Sequence, residues 1–214
     1  IIMIKQLNKI DKISLFGGFG CLYILMLSIF FQSNWLFYFD NSFPFFSGSS
    51  ETSNLIKKLS VINNFSSPII SLFFCVLIII FFLWNKQKYT ESIWAVMLII
   101  TGNAACFLLR ELVKRPHPFG ALIHTARYSF PSVSVFSIMI LVFLIWHFIV
   151  PNFSYLFSRI TIRFLLVFWI IVISLIKIYL CAVFPSDILA SISLSIGMES
   201  FTKLGLKPMK HYKD

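Results

Sequence analysis

Six apolar runs that are candidates for crossing a lipid bilayer constrain this chain more than any other feature. They cover residues 13–33, 66–84, 92–109, 132–150, 162–180 and 187–202. A helix of about 20 apolar residues spans the hydrocarbon core of a bilayer, and backbone groups inside that core must be satisfied within helices or closed barrels. We therefore expect an all-α, polytopic integral membrane protein with six transmembrane helices.

Composition excludes the main alternatives to a membrane protein. Of the 214 residues, 58% are hydrophobic and only 12% are charged, whereas about a quarter of a soluble domain is charged. Disordered, collagen-like and disulfide-stapled chains have other compositions. We expect one transmembrane domain over 1–214, with spans three to six as its core (about 92–204) and spans one and two covering about 13–84. The first run is too long for a signal peptide core, so we expect it to be a retained span.

The charged residues predict the orientation of the chain. The net charge is +10, and placing the N-terminus in the cytoplasm puts 11 of the 18 Lys and Arg residues on the inner side and six on the outer side. The positive-inside rule then predicts a multi-pass protein of the cell membrane with both termini cytoplasmic. Anionic lipid headgroups account for the basic tail, so no nucleic-acid partner is expected.

The connection 34–65 is rich in aromatic residues, and we expect it to be a loop lying at the headgroup interface on the outer side.

The four cysteines lie singly in apolar stretches, without the spacing of a zinc or redox motif. No cofactor and no metal site is expected.

Three short segments that flank spans three to six fall on the same predicted outer side. They read RELVKRPHP over Arg110–Pro118, FPSVSV over Phe130–Val135 and KIYLCAVFPSD over Lys177–Asp187. Taken singly, each is also typical of a rigid loop or a helix start, with Ser132 as a helix cap. Asp187 would then lie at the positive end of the sixth helix.

Together the segments bring cationic side chains to one face of the membrane, beside the N-termini of two helices. The cations are Arg110, Lys114, Arg115, His117, Arg127 and Lys177. Guanidinium and ammonium groups with free backbone N–H groups suit a phosphate. Lys177 stands between Ile176 and Ile178, where a charge in mid-membrane costs about 3 kcal/mol. It either extends to the membrane surface or faces a site inside the protein, and Asp187 is a candidate counter-ion.

These segments resemble the motifs of the type-2 phosphatidic acid phosphatases (lipid phosphate phosphatases), whose fold is shared with the vanadium haloperoxidases. The family pattern is K-x6-R-P, then P-S-G-H, then S-R-x5-H-x3-D, on a six-span core with the site facing outward. The resemblance covers spans three to six, and its most telling part is FPSDILA, in which Asp187 is kept. It implies phosphate-binding roles for Arg110, Arg115, His117, Ser132 and Lys177.

The resemblance also places unusual residues at the two chemical positions of the family. Val183 stands where the family has its nucleophilic histidine, and Ser134 stands where it has the histidine that protonates the leaving group. Valine has no lone pair with which to attack phosphorus, and loss of a general acid typically forfeits a further 10²–10⁴-fold. Val133 replaces a glycine, which crowds the turn where backbone N–H groups approach a phosphate. A phosphohistidine mechanism is therefore not expected.

Three functions stay open at this point. The first, which we favour, is a pseudoenzyme that binds a phosphorylated lipid or a membrane-protein partner at the outer face. The second is an active lipid-phosphate phosphatase or phosphotransferase with non-standard residues, for which His124 with Ser132 or Ser134 is a candidate base and nucleophile. The third is a structural subunit of a membrane complex.

Overall fold

Helices form all the regular secondary structure in the part of the chain that the structure covers. The structure is a computed structural model, and it describes residues 9–43, 53–84, 89–119 and 127–205. The helices in these ranges are α1 (Lys9–Phe30), α2 (Asn34–Asn41), α3 (Ser53–Phe65), α4 (Pro68–Trp84), α5 (Tyr89–Val113), α6 (Val133–Leu144), α7 (Leu156–Tyr179) and α8 (Pro185–Gly205). A π-helical turn and a short 3₁₀ turn extend α6 to Asn152.

Within the described ranges, five helical segments are long and apolar enough to cross a membrane. They are Lys9–Phe30, Ile56–Trp84, Tyr89–Val113, Val133–Asn152 and Leu156–Tyr179. Large apolar side chains such as Phe16, Ile69 and Phe164 are exposed on their outer faces, where hydrocarbon replaces water as the solvent. The chain is thus an all-helical, multi-pass membrane protein, as predicted.

The sixth predicted span corresponds to α8, which does not meet the same criterion of length and hydropathy. This helix packs against α1, α5 and α6, and serine recurs along its buried side. The hydroxyls of Ser191 and Ser195 donate to the carbonyls four residues earlier, at 2.7 and 2.6 Å. A helix that its neighbours shield from lipid can carry such polar groups where the helix's own carbonyls satisfy them, as they do for Ser191 and Ser195. That α8 crosses the membrane stays a prediction.

The contact between α1 and α8 is close enough for the two backbones to touch. A methyl group added at Gly18 would lie 2.7 Å from the backbone nitrogen of Gly197 and 2.8 Å from the carbonyl oxygen of Ser193. Small residues at a helix interface allow this approach. Neighbouring Gly17 faces open space, with no atom within 4 Å of the same added methyl group.

The connection predicted as a loop over 34–65 contains α2 and α3. The second membrane-crossing segment begins at Ile56 inside α3 and continues through Ser66 and Ser67 into α4, so it starts earlier than the predicted span 66–84. The helix α2 packs on α8, and α3 packs on α7. These contacts bring two polar side chains of the connection, Asp40 and Asn63, to the segments that the sequence singled out.

Candidate functional site

A cavity of about 160 Å³, here called the Lys177 cavity, gathers residues from all three sequence segments. Its basic lining residues are Arg110, His117 and Lys177. The other described lining residues are Asn63, Asn64, Ser67, Pro68, Tyr128, Ser129, Pro131, Ser132, Val133, Ser134, Ala182 and Val183. No carboxylate occurs among these residues, so the described wall of the cavity is electropositive.

Lys177 is the most deeply buried cation of the cavity. It lies in the last turn of α7, its exposed fraction is 3%, and its ammonium donates to Asn63 Oδ1 at 3.0 Å. The expected pairing with Asp187 is wrong, because that carboxylate binds a different cation. A neutral amide oxygen orients an ammonium without cancelling its charge, so the positive potential is kept for another ligand.

The turn after α7 brings Ala182 and Val183 to the cavity. The N–H of Ala182 donates to the carbonyl of Lys177 at 3.0 Å, and the N–H of Cys181 donates to the carbonyl of Ile178 at 2.9 Å. The backbone of Cys181 is in the left-handed region at φ 52°. The two hydrogen bonds and this conformation form a Schellman motif at the end of α7, and glycine is the usual residue at the position of Cys181. Val183 consequently lines the cavity at the place where the resemblance expects the nucleophile.

Arg110 and His117 are anchored by backbone carbonyls. Arg110, in the last turn of α5, donates to the carbonyl of Tyr128. His117 Nδ1 donates to the carbonyl of Ala182 at 2.7 Å, since a carbonyl can only accept. Both side chains are thereby held at the cavity by neutral oxygens.

The start of α6 forms another part of the wall. Ser132 is the N-cap residue, but its hydroxyl makes no capping hydrogen bond, so the expected capping role of that side chain is wrong. Ser132, Val133 and Ser134 line the cavity, where the first N–H groups of α6 lack acceptors within the helix. The N-terminus of α6 is the positive end of the helix dipole, so it adds to the positive potential of the basic side chains that line the cavity.

Arg115 does not line the Lys177 cavity and instead forms a buried ionic cluster. Its guanidinium is 2.6 Å from Asp40 Oδ2 and 2.7 Å from Asp187 Oδ1. It also donates to Ser186 Oγ at 2.7 Å and lies 4.0 Å from the centre of the Phe184 ring. Burial alone lowers the pKa of Arg115, but the carboxylates of Asp187 and Asp40 outweigh burial and raise that pKa above its ordinary value. The guanidinium therefore stays charged at every physiological pH.

The same cluster occupies the N-terminus of α8. Asp40 Oδ1 accepts from the N–H of Ser186 at 3.0 Å, and Asp187 Oδ2 accepts from the N–H of Phe184 at 3.0 Å. Of the two helix N-termini that the sequence placed beside the cations, that of α6 lies at the cavity and that of α8 is capped by carboxylates. The retained Asp187 thus orients a guanidinium rather than an imidazole.

The remaining predicted residues lie elsewhere, and two contributors were missed. Lys114 is exposed, and the guanidinium of Arg127 lies 5.4 Å from the centre of the Tyr128 ring; neither lines the Lys177 cavity. His124 falls outside the described residues. Asp40 and Asn63 were missed because they lie in the predicted loop, and a single polar residue in a loop gives no sequence signal.

One solved structure provides a comparison for the whole fold, although no protein-family model and no curated protein sequence matches the chain. The chain is similar to the crystal structure of a PAP2-type (type-2 phosphatidic acid phosphatase) phosphatidylglycerolphosphate phosphatase from Bacillus subtilis. The TM-score is 0.68 at 16% identity, over 93% of this chain and 98% of the other. This chain is therefore a multi-pass helical membrane protein with the fold of the PAP2 lipid phosphatases.

Proposed function

We propose that this chain binds the phosphate group of a membrane lipid in the Lys177 cavity and does not hydrolyse it. The observation that carries the proposal is the buried ammonium of Lys177, which has an amide oxygen as its neighbour and shares its cavity with Arg110 and His117. The exposed fraction of Lys177 is 3%, and a charge buried this deeply in a membrane protein is stabilised by a compensating charge. A phosphate monoester supplies two negative charges and several acceptor oxygens.

The residue types at the cavity support binding without turnover. Val183 lies at the wall where a nucleophile would have to stand, and its side chain forms no bond to phosphorus. The carboxylate of Asp187, which could orient a base, is engaged by Arg115 instead. The basic side chains of Arg110, His117 and Lys177 are thus left with a binding role.

An active phosphatase with non-standard residues is the second candidate. The hydroxyls of Ser132 and Ser134 favour it, because both residues line the cavity. A serine nucleophile needs a base within hydrogen-bond reach. Among the described lining residues, His117 supplies an imidazole, and its Nδ1 proton is directed at the carbonyl of Ala182. Phosphate release from a lipid would favour this candidate.

A binding assay on the purified, detergent-solubilised chain tests the proposal. The probes are phosphatidic acid, which carries a phosphate monoester, phosphatidylcholine, which carries a zwitterionic diester, and inorganic phosphate, which has no acyl chains. We expect phosphatidic acid to bind best, because its phosphate has the higher charge and its acyl chains remain in the micelle. Equal binding of both lipids would contradict the proposal, and equal binding of inorganic phosphate would remove the lipid from it.

Two matched lysine substitutions show whether binding occurs in the cavity. Lys177→Met removes the buried ammonium, and we expect phosphatidic acid to bind at least about tenfold more weakly, because a hydrogen bond to a charged group contributes about 1.5–3 kcal/mol. Lys58→Met removes the same charge from an exposed position on α3 and should leave affinity nearly unchanged. Equal effects of the two substitutions would mean that the lipid responds only to net charge.

A further inference from the structure

Asn63 is the polar residue of α3 that lies nearest to the charge of the Lys177 cavity. It is buried, with an exposed fraction of 5%, and it lies in the last turn of α3, far in sequence from the three segments that build the rest of the site. Its side chain is oriented by one hydrogen bond, which Oδ1 accepts from Lys177 Nζ at 3.0 Å. The hydroxyl of Ser66 donates to the backbone carbonyl of Asn63 at 2.6 Å and holds the end of α3 beside it.

The hydrogen bond from Lys177 determines which way the amide faces. An ammonium has donors and no acceptor, so the carbonyl oxygen of Asn63, not its nitrogen, must face Lys177. The nitrogen then points away from the ammonium with two N–H donors, and no described residue accepts from it. Asn63 lines the cavity together with Lys177 and Arg110, so its amide donors belong to a residue at the cavity wall.

We propose that Asn63 is an anion-binding residue of this site, with its carbonyl holding the ammonium of Lys177 and its amide N–H groups donating to the same phosphate. This inference rests on the proposed function and adds a contact from α3, which lies outside the three segments that predicted the site. The ligand class it selects is a phosphate monoester, which has enough oxygens to accept from Lys177, Arg110 and the amide together. An amide suits this position because it adds donors without cancelling the positive charge of the cavity.

Asn63→Asp is the most direct test, because it changes one atom type and almost no volume. The new carboxylate would lie about 3 Å from the ammonium of Lys177, would neutralise it, and would lose both N–H donors. We expect binding of phosphatidic acid to fall by at least about tenfold. The lipid-free protein should unfold at the same temperature as the parent or at a higher one, because a buried ammonium gains a charged partner.

Asn64→Asp provides the matched control. Asn64 lines the same cavity but is exposed and makes no described contact with Lys177. The Asn64→Asp substitution therefore adds the same charge without removing the proposed contact. We expect a clearly smaller loss of binding than for Asn63→Asp. Equal losses would show that the cavity responds only to its total charge, which would overturn the role of Asn63.

The outcomes separate this inference from the proposed function. If the parent protein binds phosphatidic acid, Lys177→Met abolishes binding and Asn63→Asp keeps it, the inference fails and the proposed function stands. If the parent protein shows no preference for phosphatidic acid, the proposed function fails first. A lower unfolding temperature of lipid-free Asn63→Asp together with weaker binding would indicate that Asn63 is only structural, and would also overturn the inference.

Discussion

At the scale of single residues, the basic side chains near the three sequence segments form two groups, which differ in the kind of oxygen atom that accepts their hydrogen bonds. Arg110, His117 and Lys177 are held by carbonyl and amide oxygens and face one cavity. Arg115 is held by two carboxylates and does not line that cavity. A cation beside neutral acceptors still attracts an anion, whereas a cation between two carboxylates has no charge left to offer. Under the proposed function, the first group binds the ligand and Arg115 stabilises the fold.

Replacing Arg115 is expected to destabilise the fold without a direct effect on the cavity. Arg115→Ala leaves the carboxylates of Asp40 and Asp187 buried without their cation, with exposed fractions of 3% and 0%. Breaking a buried ion pair in this way costs about 3–5 kcal/mol. The free energy of unfolding in detergent measures the effect. Lys114→Ala, at an exposed neighbouring side chain, should change stability by less than about 0.5 kcal/mol, and similar losses from the two substitutions would contradict this account.

At the scale of helices, α8 holds the bundle together through close backbone contacts as well as through buried apolar side chains such as Leu194 and Met198. It packs against α1, α5 and α6, and its N-terminus is capped by Asp40 of α2. The contact with α1 depends on Gly18 and Gly197, where backbone atoms of one helix lie against the other. Because α8 begins at Pro185, two residues after Val183, its position also fixes one wall of the Lys177 cavity.

Two adjacent glycines of α1 provide a controlled test of this helix contact. Gly18→Leu places a side chain into backbone atoms that cannot move aside, and overpacking of this kind costs about 1–3 kcal/mol. Gly17→Leu adds the same side chain on a face with open space and should leave the unfolding temperature unchanged or raise it slightly. If the two variants unfold at the same temperature, α1 and α8 do not pack as described.

At the scale of the whole molecule, the predicted topology places the end of the bundle with the Lys177 cavity outside the cell and the other end in the cytoplasm. Phe119 lies beyond α5 at the cavity end, and Tyr155 lies at the start of α7 at the opposite end; both side chains are exposed. Among the native cysteines, Cys75, Cys106 and Cys181 are buried, and Cys21 lies within the apolar helix α1. A charged thiol reagent should therefore report on cysteines introduced at the two ends.

Labelling of intact cells with a membrane-impermeant maleimide tests this topology. We expect Phe119→Cys to react in intact cells and Tyr155→Cys to react only after the membrane is permeabilised, because the positive-inside rule places the α6–α7 connection in the cytoplasm. The unmodified chain provides the background. Labelling of Tyr155→Cys alone in intact cells would invert the orientation and place the cavity inside the cell.

The sequence predicted more of this molecule where residues act through periodic patterns than where they act through single contacts. Long apolar runs predicted the membrane-crossing helices, and three short segments predicted the neighbourhood of Arg110, His117 and Lys177. The partners of Arg115 and Lys177 were not predictable, because Asp40 and Asn63 reach them across separations of 75 and 114 residues. The sequence also did not predict that the serines of α8 face other helices, since hydropathy does not reveal which helices are shielded from lipid.

The most direct test of the central claim is the release of inorganic phosphate from phosphatidic acid, measured on a protein sample whose binding of that lipid has been quantified. The account predicts saturable binding that Lys177→Met weakens, with phosphate release no greater than that of the Lys177→Met protein. Release well above that background, abolished by Ser132→Ala, Ser134→Ala or His124→Ala, would contradict it and identify the chain as an active phosphatase.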